Sequence, residues 1–122
     1  MSARRPMPAA VADRLAEDLA TARTAVESGD VRRSWELLEE AHVLSQPWAW
    51  PHVRVHAAML ALGWRTRNRR EVLGQQLRIV VAGPGSLTGR YPEGNTGRGS
   101  VPATEPMPVP DELRILLESR DG

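Results

Sequence analysis

His42, His52 and His56 are the three histidines of this 122-residue chain, and all fall within one fifteen-residue window. Neutral imidazole is the commonest protein ligand for a transition metal. His52 and His56 are four apart, which on a helix places both rings on one face about a turn apart, a workable spacing for two ligands of one ion. Glu39 and His42 are three apart, the Glu-x-x-His spacing of carboxylate-bridged metal bundles. If the two stretches form successive helices, His42 near the end of one approaches His52 near the start of the next. The chain has no cysteine, so the donor set suits a divalent transition metal: Zn, Fe, Ni or Cu. Asp18 and Glu71 are candidate further carboxylates, and Met59 is a candidate thioether for copper(I). The same residues also admit a plainer reading, in which each imidazole bonds a nearby carbonyl or carboxylate and Glu71 only caps a helix.

The elements that must position these groups are helical. Val11, Leu15, Leu19, Ala22 and Val26 recur at spacings of four and three, predicting a helix over 9–28. Gly29 stands where a helix C′ residue belongs, and Asp30 where the next N-cap does. A second helix is predicted from Val31 to about Ser45. Pro51 opens a third, running to about Arg65 and apolar almost all round after His56. Asn68 with Glu71 resembles a capping box for a fourth, whose core stripe is read as Val72, Leu73, Leu77 and Val80 and whose end is set by Gly83-Pro84-Gly85. Residues 1–8 are read as a loose arm and 84–108 as a long Gly/Pro-rich segment. A short C-terminal helix over 109–119 docks through Leu113, Leu116 and Leu117. Trp48 and Trp50 flank the proline turn and read as core closure or as walls of a pocket. The expected fold is one all-α domain of two antiparallel helical hairpins over 9–83. An apparent repeat at an offset of 38 residues makes it tetratricopeptide-like; a four-helix bundle is the neighbouring architecture.

Composition excludes several chemistries. All 16 basic residues are arginine, so no lysine nucleophile, Schiff base or Walker-type phosphate loop is available. The formal charge of +1 dictates no polyanionic partner, and the arginines at 65, 67, 69 and 70 read as a solvated helix-connection tip, so nucleic acid is not expected. No signal peptide and no membrane span are expected, which makes a cytoplasmic protein the default. Within the Gly/Pro-rich segment, Arg90, Asn95, Thr96 and Arg98 form a candidate ligand loop, and residues 94–97 have no secondary structure to occupy them elsewhere and read as a cover for the histidine site.

Five blocks carry a resemblance: LEEAHVLSQ (38–46), PHVRVHAAML (51–60), REVLGQ (70–75), GRYPEGNTG (89–97) and PMPVP (106–110). Together they resemble a bacterial family known as domain of unknown function 3703. The resemblance implies a small helical protein without established activity. It gives motif status to Glu39, His42, His52, His56, Glu71, Asn95 and Thr96, and it supplies no mechanism.

Three functional readings follow. The leading one is a metal ion or small ligand held between the second and third helices by His42, His52, His56 and Glu39. The second is a tetratricopeptide-like module that binds another protein without metal. The third is a small enzyme using a histidine as general base.

Overall fold

The computed structural model describes residues 6–89, 91–98 and 105–119, leaving aside the side chains of 80–83. These residues form five helices and no strand: α1 (Ala9–Glu27), α2 (Val31–Ser45), α3 (Ala49–Arg65), α4 (Arg69–Thr88) and α5 (Asp111–Glu118). None of the helices is long and apolar enough to cross a membrane.

The helix ends are fixed by local chemistry. Asp30 accepts from the Arg33 amide at 3.0 Å and Asn68 from the Glu71 amide at 3.2 Å, each satisfying a donor that the first helical turn leaves open. The α1–α2 and α3–α4 turns share one geometry. The amides of Gly29 and Asp30 return to the carbonyls of Val26 and Ala25 at 3.1 and 2.8 Å. Those of Arg67 and Asn68, 38 residues on, return to Trp64 and Gly63 at the same two distances. Gly29 (φ 87°) and Arg67 (φ 57°) both take the left-handed conformation that ends a helix this way.

α1 packs on α2 and α3 on α4, with α2 against α3 joining the two pairs. One apolar cluster runs through Leu15, Trp35, Leu38, Val55, Met59 and Leu62. A second joins Val11, Val43, Leu44 and Trp48 to Val109 and Leu113, which ties the C-terminal stretch down. Leu44 is fully buried, so truncation to alanine costs about 2–5 kcal/mol. Met7 packs against both clusters, so the end of the expected loose arm is part of the core.

Several expectations are corrected. α4 does not stop at Gly83-Pro84-Gly85 but continues through Pro84 to Thr88, where Gly89 (φ 72°) closes it. A proline inside a helix forfeits one backbone bond; here the added turn carries Ser86 into a buried bond with the α2 end, its Oγ donating to the Gln46 carbonyl at 2.5 Å. The α4 core stripe is also different. Leu73 and Leu77 are 68% and 65% exposed, while Glu71, Gln75, Arg78 and Ser86 are buried. These polar positions recur at helical spacing, and they face inward because groups on α2, α3 and 91–98 satisfy them. α3 is not buried all round either: Trp50 and Trp64, at its two ends, are 82% and 75% exposed.

Candidate metal centre

His42 comes from the last turn of α2, and His52 and His56 from the first two turns of α3, all three buried. Their Nε2 atoms converge. His42 and His56 are 3.1 Å apart, His42 and His52 3.1 Å, and His52 and His56 3.2 Å. Among the described residues, they form a group of ligand-type atoms all within 4.8 Å of one another.

The opposite ring nitrogens decide the tautomers. His42 Nδ1 faces the Asn95 carbonyl at 2.5 Å, an acceptor only, so it carries the proton. His52 Nδ1 meets Ser86 Oγ at 2.8 Å; that hydroxyl donates its own proton to the Gln46 carbonyl and therefore accepts from the imidazole. His56 Nδ1 meets Gln75 Oε1 at 2.6 Å. The Gln75 amide cannot be turned round, because its Nε2 donates to Glu71 Oε2 at 3.1 Å and to the Gly97 carbonyl at 2.7 Å. Each Nδ1 is thus a donor, and each Nε2 presents a lone pair to the same point.

Protonation does not relieve this crowding at neutral pH. Burial, then the neighbouring imidazoles, hold His42 well below its ordinary value. Burial lowers His56 to about 4, against a raising effect from Gln75. Three buried acceptors therefore meet without a donor, an arrangement that costs free energy unless a cation takes all three. The dimensions suit one. A triangle of this size has its centre about 1.8 Å from each nitrogen, so an ion bonded at about 2.0–2.1 Å lies about 1 Å out of the plane.

The stretch 91–98 covers the centre. Gln46 anchors it, donating to the Pro92 carbonyl at 2.8 Å and accepting from the Gly94 amide at 3.0 Å. Asn95 folds it over, with Nδ2 donating to the Glu105 carbonyl at 2.6 Å and Oδ1 accepting from the Gly97 amide at 2.8 Å. Gly97 (φ 82°) lies so close to His42 that a Cβ there would stand 2.5 Å from the ring. Arg98 locks the end: its Nε donates to Glu71 Oε1 at 2.6 Å, its Nη1 to Glu39 Oε2 at 3.1 Å, and its guanidinium lies 3.9 Å over the Trp35 ring. Residues 94–97 thus lie over the imidazoles, as their lack of other structure suggested.

The structure brings together the three histidines and places the other candidates elsewhere. Glu39 and Glu71 face Arg98, which draws their carboxylates to itself. Asp18 stands on α1 with Arg14, 3.5 Å from its Nε, and Arg14 also grips Glu40 at 2.9 and 3.0 Å. Burial, then the adjoining Glu40, pushes Asp18 up to about 8. Met59 is fully buried in the apolar cluster, away from any polar partner. Asn95 serves the roof, Thr96 Oγ1 is buried without a hydrogen-bond partner, and Arg90 lies outside the described residues. Sequence reasoning missed Gln75, Arg78 and Ser86. Their signal was the polar recurrence 71, 75, 78 and 86 along α4, hidden by the more conspicuous leucines at 73 and 77.

No curated protein and no solved structure matches the chain. A family model described as "Protein of unknown function (DUF3703)" matches residues 9–117. The chain belongs to that family.

Proposed function

We propose that this protein binds one divalent transition metal ion through Nε2 of His42, His52 and His56. The observation that carries the reading is the shared tautomer: with Asn95, Ser86 and Gln75 taking the Nδ1 protons, every lone pair is aimed inward. Partners of this kind orient metal-ligating imidazoles and raise their basicity. Neutral nitrogen donors without thiolate suit Zn, Ni, Cu(II) or Fe(II). Glu39 and Glu71 then act through the roof, by holding Arg98, and not as ligands. The near-complete burial of the triad favours holding an ion over turning over a large substrate.

Protein purified without a polyhistidine tag tests this by elemental analysis and competitive titration. One metal per chain is expected, with binding lost in His52→Ala and His56→Ala. Sub-stoichiometric metal that these variants leave unchanged removes the reading.

A second reading, a tetratricopeptide-like interaction module, is favoured by the duplicated turn geometry and by a groove between α1, α2 and α3. That groove, of about 590 Å³, is floored by Ala16, Ala20, Ala58 and Ala61. Arg23, Arg54 and Arg65 line it, exposed and without side-chain partners among the described residues. An acidic amphipathic helix from another protein fits apolar walls edged with cations. Arg54→Glu with Arg65→Glu abolishes binding of a defined acidic helical peptide if this is right. Unchanged peptide affinity in that double variant removes it.

A further inference from the structure

A cation on three Nε2 atoms needs something on its other side. Because the nitrogens are only 3.1–3.2 Å apart, an ion at ordinary bond length stands off their plane and keeps at least one coordination position pointing away from them. No cysteine exists in the chain, and among the described residues no carboxylate joins the three imidazoles. The ligands are all neutral, so the centre retains the full charge of the ion.

Arg78 adds a second positive centre to the same interior. It lies three residues after Gln75 and eight before Ser86, on the face of α4 that holds His56 and His52. It is 8% exposed, and its charge opposes protonation of both His42 and His56. Glu71, the carboxylate that favours the Arg78 charge, is already shared with Arg98 and Gln75. A buried cation next to a buried metal ion is tolerable only with negative charge between them. The roof offers a further polar group, the buried and unpartnered Thr96 hydroxyl, between the two residues that touch His42.

We propose that the bound metal carries one small inorganic anion from solution at its open position, with Arg78 supplying the counter-charge. The inference rests on the metal reading above. The burial of the triad limits the ligand to a few atoms, and the guanidinium selects for charge.

The test uses the full chain loaded with cobalt(II) and titrated with sodium azide, read by the visible ligand-field bands. A saturable one-site change is expected. Arg78→Met weakens azide by about tenfold or more, the scale of one charge-assisted contact, at unchanged cobalt stoichiometry, and Arg78→Lys recovers most of the loss. Should Arg78→Met not fold, the wild-type titration and its comparison with Arg78→Lys still decide. A cobalt-loaded wild type that azide leaves unaltered, or equal azide affinity in wild type and Arg78→Met, overturns the proposal and leaves the metal reading standing. Failure of cobalt to bind at all sinks both.

Discussion

Gln75 Oε1 takes the Nδ1 proton of His56 at 2.6 Å, and the same amide spends its nitrogen on Glu71 and Gly97. One residue on α4 therefore fixes a tautomer on α3 and holds down the roof. Gln75→Leu frees His56 to carry its proton on Nε2. Competitive titration against a chelator is expected to show a loss of metal affinity of about 10–100-fold, the usual effect of removing such a partner.

Arg98 neutralises Glu71, which is 2% exposed. Arg98→Ala leaves that carboxylate buried with its main counter-charge gone and is expected to cost about 3–5 kcal/mol in urea unfolding. Hydrogen exchange at the amides of 94–98 is expected to rise with it. A loss within error of zero contradicts the assigned role.

Gly97 combines a left-handed backbone with contact against His42. In Gly97→Ala the new Cβ would meet the ring Cδ2 at 2.5 Å, so the roof must move. Conformational strain alone costs roughly 1–3 kcal/mol. Both a lower unfolding midpoint and weaker metal retention are expected, whereas Gly29→Ala, where nothing stands within 4 Å, affects stability without touching metal binding.

Stability of the metal-free protein depends on pH through the triad. His42 and His56 are depressed, His56 to about 4, below the ordinary 6.5. Between those values the unfolded chain binds more protons than the folded one. The stabilising contribution is therefore full above pH about 6.5 and lost as pH falls toward about 4, at up to roughly 1.4 kcal/mol per pH unit for each group. Urea midpoints at pH 7.5, 6, 5 and 4.5 (about half-unit control is enough) are expected to decline in that order. His56→Gln is expected to flatten part of the decline.

Arg67 holds a φ of 57° at the position where the equivalent turn has Gly29. Arg67→Gly is expected to stabilise the chain by about 0.5–1 kcal/mol, because glycine takes that conformation without a Cβ penalty. Thermal unfolding reads it directly, and a destabilised variant counts against the equivalence of the two turns.

The sequence reading captured features whose chemistry is local. Asp30 and Asn68 announce helix starts by their own side chains, Gly29 announces an end, and the histidine spacing needs only helical geometry. It failed where a tertiary partner decides. Nothing near Gly83-Pro84-Gly85 says that Ser86, one turn on, has His52 and Gln46 waiting for it, so the helix was expected to stop. Leu73 and Leu77 outweigh Gln75 and Arg78 in any apolar count, yet the polar residues go inside because each meets a group on another element. Glu39 and Glu71 look like ligands until Arg98, more than twenty-five residues after Glu71 in the chain, is seen to claim them.

X-ray absorption on the zinc-loaded protein tests the central claim most directly. Three imidazole nitrogens at about 2.0–2.1 Å, with one further light-atom ligand and no sulfur, is the predicted shell, reduced by one imidazole in His42→Ala. A shell with fewer than three imidazoles, or one that His42→Ala leaves the same, contradicts the account.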